Sequence, residues 1–243
     1  MPLACIEVGG SSVETLLLAD DGTEHRRLDG AVVPDGHRVL VAVPGIVEGN
    51  RVLAASNLGW FDIDPLRALG LDRSADLVLN DAEAAALGEV ALRHDQQVRD
   101  AVYVGLGTGV GGAVVIGDRI VAGNLFGHQP GFSDLTCPCG AVGCLETVAA
   151  GWALPTPLRP GDRDAIAAAV ARAIDSEPLA TPSLVVIAGG LARRYPDLVP
   201  AIGARLPDRS VAPSAAPNGA KSAAAWGLRL ADELGRSVPD LVR

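Results

Sequence analysis

Three of the four cysteines lie within eight residues of one another, at Cys137, Cys139 and Cys144. Three thiolates in a loop rich in glycine and proline are soft ligands that suit Zn²⁺, and His128 is the nearest candidate for a fourth ligand. A lone histidine in a loop is usually solvated, but beside three cysteines ligation is the better interpretation. Because protein atoms would then fill all four positions, the pattern predicts a structural zinc site rather than a catalytic one.

Two glycine-rich turns could bind phosphate groups. Gly9-Gly10-Ser11 follows one apolar stretch, and Gly107-Thr108-Gly109 follows another. The second run matches the spacing of the dinucleotide fingerprint, but that motif requires a helix directly after the glycines, whereas residues 113–116 continue as a strand. The dinucleotide interpretation is therefore rejected. Each turn combines exposed backbone N–H groups with a hydroxyl, which favours a phosphate clamp, although either could be an ordinary hairpin.

Asn80 and Asp81 form a polar corner between an apolar strand and an alanine-rich helix. Asn80 and Glu83 have the spacing of a capping box, so these residues could simply satisfy the first N–H groups of the helix. Alternatively, Asp81 could accept a proton from a substrate hydroxyl as the general base of a phosphoryl transfer. The spacing alone favours the cap.

The elements that must position these residues follow from hydrophobic periodicity. Strands are predicted at residues 3–8, 13–18, 37–43, 77–79, 101–104, 113–116 and 184–187, the last ending at Gly189-Gly190. Helices are predicted at residues 82–93, 164–175 and 220–234, and an irregular stretch at 124–145. Hairpins followed by alternating strands and helices indicate an α/β protein of two lobes.

Net charge and hydropathy indicate which kinds of molecule this protein binds. The chain has 243 residues, of which 20 are Lys or Arg and 29 are Asp or Glu, giving a net charge of −9 that argues against nucleic acid. No apolar run reaches the roughly 18 residues that a membrane span needs, and the first residues lack the basic region of a signal peptide. We therefore expect a globular, cytoplasmic protein that binds a small ligand and neither nucleic acid nor membrane.

Taken in order, these segments resemble the ROK family of sugar kinases and repressors, which has the two-lobed actin-like ATPase (ribonuclease H-like) fold. Glu7-Val8-Gly9-Gly10-Ser11 is similar to the family's first phosphate motif, Asp-x-Gly-Gly-Thr, and residues 105–112 are similar to its second. Residues 43–45 and 56–60 resemble its sugar-lobe segments, residues 80–89 its catalytic segment, residues 126–128 with 137–146 its zinc module, and residues 188–190 the end of its adenosine-side strand.

The resemblance implies a role for each of these segments. It implies an N-terminal lobe at 1–97, a C-terminal lobe with the zinc module at 98–221, and a last helix, about 222–243, that packs back on the first lobe. Asp81 would be the general base, and the sugar hydroxyls would be contacted by Asn57, Asn80, Asp81, His128 and Glu146. ATP with Mg²⁺ would be held by Glu7, Gly9, Gly10, Ser11, Gly107, Thr108, Gly109, Gly189 and Gly190. His128 would bind zinc through one nitrogen and a sugar hydroxyl through the other. The family also implies a homodimer.

Some positions depart from the family pattern. Leu125 occupies the position of the glutamate in the family's sugar-binding motif Glu-x-Gly-His, so one polar contact to the sugar is lost and an acceptor other than glucose is expected, such as a deoxy sugar, an aminosugar or a cyclitol. Glu7 and Ser11 replace the aspartate and threonine of the first motif. The chain is also short for the family. Little room remains for the usual helix between the opening hairpin and Val43, and the helical portion between residues 146 and 183 is reduced.

These departures leave two hypotheses for function. One is an ATP-dependent kinase of a sugar or sugar-like polyol. The other is a catalytically impaired pseudokinase that uses a zinc-stabilised pocket to bind or sense a sugar. Asp81 and both glycine turns favour the kinase, because a binding module needs no base beside a phosphate clamp. The family's repressors require an N-terminal helix-turn-helix, whereas this sequence opens with a strand and is acidic, so direct DNA binding is not expected.

Overall fold

The computed structural model describes residues 2–10, 12–19, 24–123, 126–216 and 220–233, and these form three sheets and seven α-helices. The strands are β1 Leu3–Val8, β2 Val13–Leu18, β3 Glu24–Asp29, β4 Arg38–Val43, β5 Ile46–Glu48, β6 Arg51–Ala55, β7 Trp60–Ile63, β8 Leu77–Asn80, β9 Ala101–Leu106, β10 Val110–Ile116, β11 Arg119–Ala122, β12 Leu184–Ala188 and β13 Ser210–Pro213. The helices are α1 Pro65–Ala68, α2 Asp81–Ala91, α3 Glu146–Ala149, α4 Asp162–Ser176, α5 Gly189–Arg194, α6 Leu198–Gly203 and α7 Ala220–Glu233, with short 3₁₀ turns at His94–Gln96 and Phe126–His128.

The first sheet has the strand order β3-β2-β1-β4-β8. Central strand β1 pairs antiparallel with β2 and parallel with β4, and its apolar residues are buried, including Cys5. One face of this sheet is covered by α1 and by the small sheet β5-β6-β7. Ile6 of β1 and Val41 of β4 share a hydrophobic cluster there with Val52 of β6. Parallel pairing of β1, β4 and β8 brings their carboxyl ends to the same edge, where the residues Gly9 and Asp81 follow β1 and β8.

The second sheet has the order β11-β10-β9-β12-β13. β9 and β10 are antiparallel with Leu106 opposite Val110, so residues 107–109 form a tight connection between them. β10 begins at Val110 rather than at the predicted residue 113, because Gly111 and Gly112 belong to the strand. Glycine is needed at both places: a Cβ on Gly111 would lie 2.9 Å from the Cβ of Ala82, and one on Gly112 would overlap Phe126. The strand after the glycines confirms that the run is not a dinucleotide fingerprint.

Helices α2 and α7 join the two five-stranded sheets. α7 contacts β1, β4 and β8, α2 contacts β9 and β10, and the two helices pack against each other in one hydrophobic core. Their backbones touch, because a Cβ on Gly88 would overlap the carbonyl oxygen of Ala223 and one on Gly227 would overlap that of Ala84. A larger residue at either glycine would therefore push the helices apart.

Helix α4 covers the outer face of the second sheet. Ile166, Val170 and Ile174 recur at the spacing of one helical face and pack with Val102 and Val104 of β9. The alternate β9 residue, Tyr103, faces α2 instead. Within the part of the chain that the structure describes, no helix is long and apolar enough to cross a bilayer.

The predicted elements largely agree with the observed ones. β1 and β2 have the predicted bounds, and the three predicted helices correspond to α2, α4 and α7. Residues 234–243, the end of the expected last helix, lie outside the described residues. Gly189-Gly190 was expected to end a strand, but it also begins α5. The division into lobes stays a prediction.

Candidate functional site

His128, Cys137, Cys139 and Cys144 form one cluster, in which the candidate ligand atoms all lie within 4.8 Å of one another. Cys137 Sγ is 3.7 Å from His128 Nδ1, and Cys139 Sγ is 3.7 Å from Cys144 Sγ. A tetrahedral Zn²⁺ with Zn–S bonds of about 2.3 Å separates its sulfur ligands by about 3.8 Å, so these separations fit zinc. The four cysteines of the chain are free thiols. The cluster could therefore hold a metal ion.

Tight turns bring the three thiols together. Gly140 N donates to the carbonyl of Cys137 at 2.9 Å, and Cys137 N donates to Ala141 O at 2.8 Å. Gly140 and Gly143 both have positive φ, which glycine adopts without steric cost. The backbone next to His128 is held by β10. Gly127 packs so closely on Val110 that a Cβ on Gly127 would overlap the carbonyl oxygen of Val110. The cluster is thus attached to β10.

Glu146 follows Cys144 closely and begins α3. Its Oε1 accepts a hydrogen bond from Val110 N at 2.7 Å, and its Oε2 accepts one from Trp152 Nε1 at 3.3 Å. Cys137 Sγ lies 3.9 Å from Oε2. The carboxylate therefore links the cluster to the end of the second glycine turn.

The second glycine turn lies beside Gly189. β9 and β12 are parallel neighbours with Gly105 opposite Ala188, so the turn and the start of α5 follow adjacent strand ends. Gly189 has φ +93°, and a Cβ there would overlap Leu106 O. The structure thus brings Gly189 against Leu106, which leads directly into Gly107, Thr108 and Gly109.

The first turn lies at the end of β1. Gly9 N donates to Ser12 O at 2.8 Å, and Ser11 lies outside the described residues. Glu7 Oε1 lies 3.9 Å from the place a Cβ on Gly9 would take. The exposed Asn57 is also close, with Nδ2 3.5 Å from the corresponding position on Gly10. A predicted sugar contact thus lies next to a predicted phosphate turn.

Asn80 caps α2. Its Oδ1 accepts hydrogen bonds from Ala82 N at 2.9 Å and Glu83 N at 3.2 Å, and its Nδ2 donates to Gly45 O at 2.8 Å. The capping interpretation is therefore confirmed for Asn80, and the cap fixes the backbone from which Asp81 projects.

Asp81 is the first residue of α2, and its Oδ1 accepts from Ala82 N at 2.8 Å. Burial raises its pKa above the usual aspartate value. A raised pKa makes the ionised carboxylate a better proton acceptor, which suits a general base. Burial, followed by the charges of Glu89, Asp81 and Glu7, raises the pKa of Tyr103 in β9.

Glu83 is a buried acid that the sequence analysis considered only as part of a capping box. Its side chain packs against Gly123, where a Cβ would lie 2.6 Å from Oε1. Burial, and next the charge of Asp81, raise its pKa from 4.5 to about 7. The signal that could have revealed it is an acid among the alanines of an apolar helix. Leu125, the expected departure from the sugar motif, lies outside the described residues.

The fold defines a class of protein. A ROK family glucokinase from Streptomyces griseus, solved with glucose and AMPPNP, aligns with TM-score 0.70 and 22% identity over 96% of this chain and all of that one. A ROK hexokinase from Thermus thermophilus aligns with TM-score 0.69 and 21% identity over 97% of this chain and all of that one. The fold is the actin-like ATPase fold of ROK sugar kinases, as predicted.

The family model described as "ROK family" matches residues 32–205, so the chain belongs to the ROK family. An N-acetylmannosamine kinase from Escherichia coli O6:H1 is 32% identical over 183 residues, which cover 61% of each chain. A putative xylose repressor from Caldicellulosiruptor is 40% identical over 124 residues, 47% of this chain and 31% of that protein. The chain thus matches less than two thirds of the length of these relatives, which include both kinases and repressors.

Proposed function

We propose that this protein is an ATP-dependent kinase that transfers the γ-phosphoryl group to a hydroxyl of a sugar or sugar-like polyol. The observation that carries the proposal is the position of Asp81. This carboxyl, whose pKa is raised by burial, precedes Ala82, and Ala82 packs on Gly111 two residues beyond the second glycine turn. A base beside a phosphate-binding turn is the arrangement that phosphoryl transfer to an alcohol needs.

The chain supplies mainly positioning and a proton acceptor. Asp81 takes the proton of the acceptor hydroxyl as its oxygen attacks the γ-phosphorus in line with the leaving ADP. Gly9, Gly10, Ser11, Gly107, Thr108 and Gly109 hold the phosphates, and Gly189 and Gly190 lie on the adenosine side. Glu7 is the carboxylate at the first turn that would hold Mg²⁺, which when bound neutralises phosphate charge.

The acceptor lies between Asn57, Asp81, His128 and Glu146. The Nδ1 of His128 faces Cys137 Sγ, which leaves Nε2 for a sugar hydroxyl. Asn80 acts through its cap on α2, because its amide already bonds Gly45 and the first helical N–H groups. Leu125 removes an acidic contact, and relatives include an N-acetylmannosamine kinase. We therefore propose an aminosugar, another modified sugar or a cyclitol as the acceptor, and a structural Zn²⁺ at the cysteine–histidine cluster.

The same replacement at position 125 favours a second candidate, a pseudokinase that binds a sugar without turnover. Both candidates share the zinc cluster and the sugar pocket. They differ in whether a bound acceptor is phosphorylated.

Titration of the zinc-loaded protein with Mg-ATP, followed by turnover with a panel of sugars, aminosugars and cyclitols, tests the proposal. Wild type should bind Mg-ATP saturably and phosphorylate at least one acceptor. Asp81→Asn should keep its zinc, fold and Mg-ATP affinity but lose turnover by about a hundredfold or more. Turnover retained in Asp81→Asn would remove Asp81 from the mechanism. Binding of a sugar without turnover would favour the pseudokinase, and failure to bind Mg-ATP would refute the kinase.

A further inference from the structure

The segment 146–152, which follows the last cysteine of the cluster, contacts each residue of the second glycine turn. Gly151 N donates to Gly107 O at 2.8 Å, and Trp152 N donates to Thr108 O at 3.2 Å. Glu146 Oε1 accepts from Val110 N, and a Cβ on Gly109 would overlap that oxygen. The conformation of the turn is therefore determined by a segment distant from it in sequence.

These bonds fix the direction of two N–H groups. In a trans peptide the C=O and the N–H point in opposite directions. Because the carbonyls of Gly107 and Thr108 point to Gly151 and Trp152, the N–H groups of Thr108 and Gly109 point away from that segment. Two successive N–H groups that point the same way form an anion-binding concavity.

Glu146 bonds both the end of the second glycine turn and the segment that packs on it. One carboxylate oxygen bonds the backbone at the end of the turn, and the other bonds the indole of Trp152, whose backbone N–H orients the carbonyl of Thr108. The second oxygen also lies 3.9 Å from Cys137 Sγ in the metal cluster. Because the group is charged, its hydrogen bonds are stronger than neutral ones.

We propose that Glu146 and Trp152 are positioning residues that hold the second glycine turn in its phosphate-binding conformation and connect it to the cysteine–histidine cluster. This inference rests on the proposed function, since it concerns nucleotide phosphates. It differs from the role of Glu146 as a sugar contact, because a sugar contact changes acceptor binding, whereas a positioning residue changes nucleotide affinity before any acceptor is present.

Calorimetric titration with Mg-ATP in the absence of acceptor separates the two roles. Glu146→Ala should raise the Kd about tenfold or more, since it removes charge-assisted bonds. Glu146→Gln keeps an oxygen that can accept from Val110 N and should recover part of the affinity. Trp152→Phe removes the indole N–H and part of the ring while it keeps an aromatic side chain and the backbone N–H, and it should raise the Kd about threefold. Glu48→Ala, an exposed carboxylate on β5, is the matched control and should bind as wild type does.

Zinc content and Tm are measured on every variant. None of the variants removes a candidate zinc ligand, so the zinc content should equal that of wild type. A Kd within twofold of wild type in both Glu146→Ala and Trp152→Phe would overturn the inference, above all if the KM for the acceptor rises instead. Should Glu146→Ala fail to fold or lose zinc, Trp152→Phe decides: an unchanged Kd overturns the inference and a raised one supports it. Wild-type protein that does not bind Mg-ATP would refute both the proposed function and the inference, whereas binding that is equal in all variants refutes the inference alone.

Discussion

Replacing Glu83 by glutamine should stabilise the protein above neutral pH and have little effect in mild acid. Glu83 is 4% exposed, and its pKa in the folded protein is raised from 4.5 to about 7, first by burial and then by Asp81. Between these two pH values the folded protein retains a proton that the unfolded chain has released, so stability falls as the pH rises through this window. Above pH 7 the carboxyl is ionised in both states and the destabilisation stays constant.

The size of the effect follows from the two pKa values. A pKa raised from 4.5 to about 7 corresponds to about 3 kcal/mol of unfolding free energy at pH 8. Glutamine resembles the protonated acid at every pH. The stability of Glu83→Gln relative to wild type should therefore increase by up to about 3 kcal/mol between pH 4.5 and pH 8.

Urea unfolding at several pH values, followed by circular dichroism, measures this difference. Glu48→Gln changes an exposed carboxylate on β5 and should show no such pH dependence. A stability difference between Glu83→Gln and wild type that is the same at pH 5 and pH 8 would refute the assignment of a raised pKa to Glu83.

Three further predictions concern the metal cluster, the helix contact and a buried ion pair. Cys139→Ser should lower zinc content and Tm together, measured by metal analysis and thermal unfolding; a full zinc content would exclude Cys139 as a ligand. Gly88→Ala should destabilise the fold by about 2 kcal/mol or more, because the new Cβ overlaps Ala223, and unchanged urea unfolding would contradict the close contact of α2 and α7. Arg93→Met leaves the buried Glu89 carboxylate without its Arg93 partner and should lower the free energy of unfolding by about 3 kcal/mol. The control Arg51→Met breaks an exposed pair with Asp62 and should lower it by less than about 1 kcal/mol. Equal losses in urea unfolding would refute the distinction between the buried and the exposed pair.

Local signals predicted much of the fold and part of the candidate site. β1 and β2 were predictable because each contains a run of apolar residues and a glycine turn separates them. The cysteines and His128 were predictable because their spacing is short and their chemistry is specific. The cap by Asn80 follows from its position before an alanine-rich helix. These signals need no knowledge of tertiary contacts.

The features that were missed depend on tertiary contacts. β3 is a polar edge strand, Glu24–Asp29, that pairs with β2 through its backbone and carries no apolar pattern. Gly111 and Gly112 are poor strand formers, yet they lie in β10 because Ala82 and Phe126 leave no space for a Cβ. The bond from Val110 N to Glu146 joins residues 36 positions apart. Likewise, the burial of Glu83 depends on Gly123, which only the folded chain brings near.

The contact between α2 and α7 has a consequence for synthesis on the ribosome. α2 is translated long before α7, yet Ala84 and Gly88 of α2 are covered by Gly227 and Ala223 of α7. A nascent chain therefore exposes this strip of small residues, and the apolar face of β1 and β4 beside it, while the intervening residues are made. The two sheets can be joined through both helices only after α7 has left the exit tunnel, so the final compaction of the molecule waits for α7.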